Sequence, residues 1–317
     1  MSLWALERFI RLCRIFYRRG TTVRIEALAG DACRVTFDIR GRWTKNPGSH
    51  IFAYIPAVSL WMSHPFSVAW VEHGPTRTQS WSPTLTQSIS TGTLVESPSG
   101  EVELDFSPLT SKTKTTISCI IASRTGMTAT LYRKARQSPT GSITLSAFVE
   151  GPYGGVENVK SYGTVLLFAG GVGITHQLSI LHNLVSAFAD GTCSTRKAVL
   201  VWSVRTIEQL EWVGPWMDDI LHMPRRDCQL KILLYVTRTA LGRDHSGAVL
   251  KETGLSEHVT FGRMNVKKLI GMEFQDRVGA MSVGVCGPGG LADDVRSATR
   301  GVMGLGNVDF WEESFTW

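Results

Sequence analysis

The first half of the chain alternates hydrophobic and polar residues with a period of two. The segments TTVRIEAL, CRVTFDI and HIFAYIP follow this pattern between residues 21 and 56, and TTISCIIA and SITLSAFVE repeat it further on. Gly, Asp, Asn and Pro separate the segments, as expected between short strands. No strong helical pattern appears between residues 21 and 126. This half therefore predicts an antiparallel β-barrel.

The pattern changes after residue 160. Apolar runs such as TVLLFAG, KAVLVWSV, QLKILLYVT and MSVGVCG now alternate with helical stretches, including TIEQLEWVGPWMDDIL. Strand–helix alternation is typical of right-handed βαβ units and a parallel sheet. We predict three parts: a helix over 1–20, a barrel domain over 21–157 and an α/β domain over 158–317.

The N-terminal segment has an amphipathic helical pattern. Leu6, Phe9, Cys13 and Phe16 recur at helical spacing, and arginines cluster toward another side. Such a helix suits the surface of an anionic bilayer, because its basic side chains meet the headgroups. An ordinary packing helix has the same pattern, so both interpretations stay open.

Composition narrows the class of protein. The chain has 317 residues, 43% of them hydrophobic, a net charge of +6 and six scattered cysteines. This composition excludes a disordered chain and a disulfide miniprotein. The cysteines lack metal-ligand spacing, so we predict no metal site and a reducing compartment. No apolar run reaches the length of a membrane-spanning helix. The basic charge favours anionic partners, but no nucleic-acid motif accompanies it.

A glycine-rich turn carries the strongest functional signal. Phe168–Thr175 reads FAGGVGIT, which follows an apolar strand and opens a helix. Glycines in that position let backbone N–H groups approach a pyrophosphate at the positive end of a helix. The turn matches neither GxGxxG nor GxxxxGK[ST], which disfavours a standard dehydrogenase domain and excludes a P-loop kinase or ATPase.

Two short motifs belong to the barrel half. HPFS at residues 64–67 places an imidazole, an aromatic ring and a hydroxyl close together, and EGPYGG spans residues 150–155. HPFS suits a flat ring with a phosphate tail, but a strand entry with a core Phe and a capping Ser has the same spacing. EGPYGG also suits a tight turn between domains.

Two further residues follow predicted parallel strands at their carboxyl ends, where open α/β sheets bind ligands. Arg205 closes VWSVR, and a cation there favours the 2′-phosphate of NADP, although a surface arginine is equally consistent. Cys286 begins CGPGG. No Cys–His–Asn signature accompanies Cys286, so we expect a small side chain against a nicotinamide ring rather than a nucleophile.

Together these motifs and a terminal EESFTW resemble the ferredoxin–NADP reductase superfamily. More narrowly, they resemble the cytosolic half of fungal ferric-chelate reductases and their relatives, the NADPH oxidases. The resemblance implies a barrel FAD domain followed by a Rossmann-like NADPH domain. It implies catalytic roles for Ser67 near the reactive edge of the flavin, Cys286 beside the nicotinamide, and Trp317 as a gate. The cofactor-binding residues it implies are His64, Pro65, Phe66, Ser67, Gly151, Pro152, Tyr153, Gly154, Gly170, Gly171, Gly173, Ile174, Thr175, Arg205, Cys286, Gly287, Pro288, Glu313, Phe315 and Trp317.

The same resemblance implies hydride transfer from NADPH to FAD, then single-electron transfer to haem or ferric chelate at the cytosolic face of a membrane. His50 and His64 have the spacing of a haem pair, but Pro56 interrupts them and the stretch is strand-like. We therefore expect haem only in a missing membrane domain or a partner. A superoxide-generating module and a flavin-less, non-catalytic partner module are the alternatives.

Overall fold

A computed structural model describes residues 21–41, 43–59, 62–74, 114–155, 158–224, 230–238 and 259–314. The helix predicted over 1–20 lies outside these ranges. None of the helices within them combines the length and the hydropathy that a membrane span requires.

Seven strands form an antiparallel sheet that curls into a half-barrel. Its core contains the apolar residues of the alternating segments, such as Val23, Val35 and Phe37, which are fully buried. The strand order is β4-β3-β7-β1-β2-β6-β5. One helix, α1 (Gly126–Gln137), packs Met127 and Leu131 against this core. The strands are β1 (Thr21–Leu28), β2 (Ala32–Arg40), β3 (His50–Tyr54), β4 (His64–Ser67), β5 (Trp70–His73), β6 (Lys114–Ala122) and β7 (Ser142–Tyr153).

Six strands form a parallel sheet, with order β11-β10-β9-β8-β12-β13. Every residue of the central strand β8 is buried, as expected of a strand covered on both faces. Helices follow most of these strands. The elements are β8 (Thr164–Gly170), α2 (Ile174–Ala189), β9 (Lys197–Val204), α3 (Gly214–His222), β10 (Leu230–Val236), β11 (Val259–Phe261), α4 (Val266–Gln275), β12 (Met281–Cys286), α5 (Gly289–Met303) and β13 (Val308–Glu313).

The expected order of an antiparallel barrel sheet followed by a parallel α/β sheet is confirmed. The segment TIEQLEWVGPWMDDIL differs in detail, because Ile207–Val213 is a 3₁₀ helix and α3 begins only at Gly214. Thr206 and Gln209 form a capping box at the start of the 3₁₀ helix, and Pro215 occupies the first turn of α3. The domain limits at residues 20 and 157 stay predictions.

Candidate functional site

The strand order of the parallel sheet reverses at β8, because the next strand, β9, lies on one side of β8 and the later strand β12 lies on the other. In open α/β sheets, ligands bind in the crevice at such a switch point, beyond the carboxyl ends of the strands. The sequence places its glycine turn directly after β8 and its CGP segment at the end of β12. The two motifs therefore flank one crevice.

Glycines allow these two loops to pack backbone against backbone. A Cβ atom on Gly173 would overlap the carbonyl oxygen of Cys286, and one on Gly170 would press on Pro288 and Gly287. Gly171 has a φ of 53° and would meet nothing within 4 Å, so its side of the turn is open. The turn thus combines a tightly packed inner side with an accessible outer side.

The glycine turn leads directly into α2. Ile174 and Thr175 are buried in its first turn, and the Thr175 hydroxyl donates to the Val172 carbonyl at 2.8 Å. The helix dipole makes this end favourable for an anion. An open glycine backbone at a helix N-terminus fits a dinucleotide pyrophosphate.

Arginines follow two adjacent parallel strands. Arg205 comes directly after β9, and its backbone N–H donates to the Gln209 side chain at 2.7 Å. Arg238 lies just beyond β10, and its backbone N–H donates to the Arg205 carbonyl at 2.8 Å. Both residues are exposed. Two exposed guanidinium groups at neighbouring strand ends are suited to a phosphate group.

Cys286 and Glu313 are register partners at the ends of β12 and β13. Burial raises the pKa of the Cys286 thiol to about 12, and the charge of Glu313 adds to this effect. The thiol therefore stays protonated at neutral pH, which agrees with a packing role rather than a nucleophilic one. Burial also raises the pKa of Glu313. Gly287 follows Cys286, and Pro288 caps α5. Phe315 and Trp317 lie outside the described residues.

Strand pairing sorts the HPFS residues onto two faces of the barrel sheet. Phe66 pairs with Ile51, and both are buried in the barrel core. Ser67 pairs with His50, and Pro65 pairs with Phe52, on the opposite face. Phe66 is only 9% exposed, which leaves little of its ring accessible to a ligand. Its expected place beside the isoalloxazine stays a prediction. The rings that share the face of Ser67 are those of His50 and Phe52.

A bulge in β7 brings Tyr153 to the same face. His50 pairs with Tyr153 while Phe52 pairs with Glu150, so β7 has one extra residue between these pairs. The Tyr153 hydroxyl donates to the Glu150 carboxylate, and its ring meets Phe52 edge-on at 5.7 Å. The extra residue falls in the predicted GPYG segment, where Gly151 and Gly154 have positive φ values that suit glycine. Pro152 has a cis peptide bond.

His64 lies on the core side of β4, and its ring stacks on Phe66 at 6.4 Å. Its Nε2 atom is buried and has no hydrogen-bond partner within the described part of the chain. A buried polar atom ordinarily has a partner, but this nitrogen lies on the core face of the sheet, opposite to Ser67, so the fit to a flat ring depends on the other face. The face carrying His50, Phe52, Ser67 and Tyr153 supplies aromatic and polar groups for a flat ring. The residues present therefore fit FAD.

The start of β3 is joined to α2. The Gly48 backbone N–H donates to the Ser179 hydroxyl at 2.8 Å. His176, buried one residue beyond the glycine turn and Thr175, interacts with Gly48 and His50, and its ring lies 5.6 Å from that of Trp311. Burial lowers the pKa of His176 to about 4, although the Gly48 hydrogen bond opposes this. The barrel face and the parallel strand ends consequently belong to one site.

Sequence reasoning missed several residues that the structure brings to this site. The alternation in HIFAY could have identified His50 and Phe52. Ile51 and Ala53 are buried, so the residues next to them in the strand lie on the opposite face. His176 and Trp311 had no such signal, since their proximity depends on how the domains pack. The missed residues are His50, Phe52, Glu150, His176 and Trp311.

Comparison with known proteins identifies both halves. The family model described as "Ferric reductase NAD binding domain" matches residues 162–300, and an FAD-binding domain model matches residues 17–78. The ferredoxin reductase of carbazole 1,9a-dioxygenase has the same fold, with a TM-score of 0.53, 13% identity and coverage of 93% of this chain and 68% of that chain. The flavohem-like FAD/NAD-binding domain of a Vibrio cholerae nitric oxide dioxygenase gives a TM-score of 0.50 and 12% identity, covering 94% and 100%.

The curated relatives of this chain include ferric reductases and a dual oxidase. Ferric reductase transmembrane component 3 of Saccharomyces cerevisiae is 24% identical, over 100% of this chain and 42% of that protein. Ferric/cupric reductase transmembrane component 2 of Schizosaccharomyces pombe is 25% identical, over 90% and 51%. Dual oxidase 2 of Rattus norvegicus is 26% identical, over 55% and 13%. The chain therefore contains a ferric reductase NAD-binding domain and an FAD-binding domain, over the residues that the two models match. It spans about half, or less, of the length of these relatives.

Proposed function

We propose that this protein transfers hydride from NADPH to FAD and then passes single electrons to a haem or a ferric chelate. The observation that carries the proposal is the junction of the two halves. There, the barrel face with Ser67 and His50 joins, through Gly48 and Ser179, the helix that follows the glycine turn. Such a junction suits a reaction between two flat rings held by different domains.

Each motif has a proposed role in holding a cofactor. Within a barrel domain over 21–157, FAD would be held by His64, Pro65, Phe66, Ser67, Gly151, Pro152, Tyr153 and Gly154. Within an α/β domain over 158–317, NADPH would be held by Gly170, Gly171, Gly173, Ile174, Thr175, Arg205, Cys286, Gly287 and Pro288. Trp317, with Phe315 as the second choice, would cover the flavin and move aside for the nicotinamide, and Glu313 would contribute to cofactor binding in the same segment.

The cofactors supply the redox chemistry, and the protein supplies position and electrostatics. Hydride transfer needs the reacting atoms about 3–3.5 Å apart. Ser67 would orient the flavin edge through its hydroxyl. Cys286, kept protonated by burial, would offer a small, uncharged wall to the nicotinamide. The packed junction would exclude water from the reacting atoms.

The proposal also includes the group that accepts electrons from the flavin. The yeast relatives are transmembrane components by name, which supports an electron acceptor in a membrane domain or partner, reached from the cytosolic face. The match to Dual oxidase 2 favours a second candidate, in which oxygen takes the electrons and superoxide forms.

Purified protein tests these proposals. FAD-loaded protein should be yellow, and NADPH should bleach its absorbance under anaerobic conditions. Ferric citrate and oxygen would then be offered separately to the reduced protein. Ferrous ion formation that is faster than superoxide formation supports the ferric reductase assignment, and the reverse order supports the oxidase. A protein that takes up no FAD contradicts both.

A further inference from the structure

His50 occupies the centre of the flavin-side face. It is the register partner of Ser67 on β4 and of Tyr153 on β7. Cβ atoms of directly opposite residues in antiparallel strands lie about 4.5–5.5 Å apart. If Ser67 lies at the reactive edge of the flavin, the imidazole of His50 is within a few ångströms of that edge.

The surroundings hold the imidazole in place without enclosing it. Its ring meets Phe52 edge-on at 5.6 Å and lies 6.1 Å from the ring of Tyr153. A Cβ atom on Gly154 would come within 3.4 Å of Nδ1, so glycine leaves room for the ring there. His50 is only half-buried. It therefore has contact with both the site and the solvent.

Burial favours the neutral form of His50. Glu150 and Tyr153 face it from β7 and are bonded to each other, and His176 faces it from α2. Burial keeps His176 uncharged at neutral pH, with a pKa of about 4. Burial also lowers the pKa of His50 below its ordinary value. A neutral imidazole has a free lone pair that can accept a proton.

The proposed reaction produces a proton inside the site. NADPH loses a hydride, which is two electrons and a proton, and two ferric ions or haems each take one electron. The balance is NADPH + 2 Fe³⁺ → NADP⁺ + 2 Fe²⁺ + H⁺. The proton remains where the hydride arrived, at the junction from which water is excluded, so a base must remove it.

We propose that His50 is this base: it accepts the proton on an imidazole nitrogen as electrons leave the site and releases it to solvent from its open side. This inference rests on the proposed function. The role is distinct from hydride transfer, because no proton is released when hydride passes from one ring to the other.

Stopped-flow measurements on FAD-loaded protein separate the two steps. We compare His50→Gln with His222→Gln, a change at an exposed histidine on α3. For His50→Gln at saturating FAD, reoxidation by ferric citrate at pH 7 should slow by about tenfold or more relative to reduction by NADPH, so that the ratio of the two rates falls. An indicator dye in weak buffer should show the same delay in proton release. His222→Gln should change neither step.

Two further measurements do not depend on turnover. The affinity of each variant for FAD is measured first, and reoxidation is recorded at saturating FAD. The His50 imidazole is titrated by NMR in the wild-type protein, where it should be neutral at pH 7. His50→Ala should recover reoxidation on addition of imidazole.

The outcomes are distinguishable. FAD binding and NADPH reduction with an unchanged reoxidation rate in His50→Gln would overturn the role of His50 but leave the proposed function standing. Absence of imidazole rescue, or a His50 that is protonated at pH 7, would also overturn the role. Failure of wild-type protein to bind FAD would remove the proposed function itself.

Discussion

We propose that the choice between NADPH and NADH depends on Arg205. It is exposed at the carboxyl end of β9, and the backbone N–H of Arg238 donates to its carbonyl oxygen. Arg205→Gln should reduce the preference for NADPH, measured as the ratio of kcat/KM values for the two nucleotides, by roughly tenfold, because a charged hydrogen bond to the 2′-phosphate is lost. Arg300→Gln, at an exposed position on α5, is the control. An unchanged ratio in Arg205→Gln would show that the 2′-phosphate binds elsewhere.

Gly173 tests the packing of the nucleotide loops. Alanine at this position would force a Cβ atom against the Cys286 carbonyl, a backbone atom that cannot move aside alone. Gly173→Ala should lower the free energy of unfolding by about 1–3 kcal/mol and weaken NADPH binding. Gly289→Ala is the matched control, since a Cβ there meets nothing within 4 Å. Chemical denaturation and nucleotide titration measure both effects, and equal stability of the two variants would contradict the packing described here.

Sequence reasoning at this scale succeeded for the glycine turn, whose placement between β8 and α2 follows from local pattern. It considered His50 only as one member of a possible haem pair and missed its place beside Ser67. The face on which a side chain lies depends on strand register. Register is fixed by pairing with β4 and β7, which are distant in sequence from β3.

At the scale of elements, α4 is tied to the parallel sheet by charge. Glu273 is 4% exposed, and its two carboxylate oxygens meet Lys197 of β9 at 2.6 Å and Lys231 of β10 at 2.8 Å. Burial opposes ionisation of Glu273, but the two lysines outweigh it and hold the pKa of this carboxyl below its ordinary value. The ionised form therefore stabilises the folded state.

This arrangement gives a pH dependence of stability. A carboxyl with a lowered folded-state pKa stabilises the fold above its unfolded value, near 4.5, and loses that contribution as pH falls through the folded value. Glu273→Gln should lower the free energy of unfolding at pH 7 by about 2 kcal/mol, and the difference from wild type should shrink in acid. Asp276→Asn, whose side chain is 86% exposed, should have a much smaller effect. A constant difference across pH in urea titrations would contradict the role of charge.

The elements themselves were largely predictable. Period-two alternation identified β1, β2, β3, β6 and β7, and apolar runs identified β8, β9, β10 and β12. The 3₁₀ segment Ile207–Val213 was read as part of one helix, because apolar spacing does not distinguish a 3₁₀ turn from an α-helix over so few residues.

At the scale of the whole molecule, neither the alternation of the first half nor the strand–helix pattern of the second half predicts how the two halves pack together. This packing depends on pairs far apart in sequence, among them Arg34 of β2, whose guanidinium donates to the Trp212 carbonyl at 3.0 Å and lies 5.1 Å from the Trp216 ring centre. The Trp212 indole in turn donates to the Ala29 carbonyl at 2.7 Å. Periodicity indicates which residues are buried, but not which distant residue they contact.

Arg34→Gln should loosen this junction, because glutamine reaches neither the carbonyl nor the ring in the same way. FAD and nucleotide binding, measured separately, should be nearly unchanged, while hydride transfer should slow by about tenfold because it depends on the distance between the two rings. Arg24→Gln, on β1 and about half exposed, is the control. Hydride transfer at the wild-type rate in Arg34→Gln would show that these contacts do not set the geometry.

The central claim is that the two halves bring a nicotinamide and a flavin into direct contact. Anaerobic single-turnover mixing of FAD-loaded protein with NADPH, deuterated or not at the transferred position, tests it most directly. Flavin absorbance should bleach, and it should bleach more slowly with the deuterated nucleotide. Flavin that binds but stays oxidised in excess NADPH would contradict it.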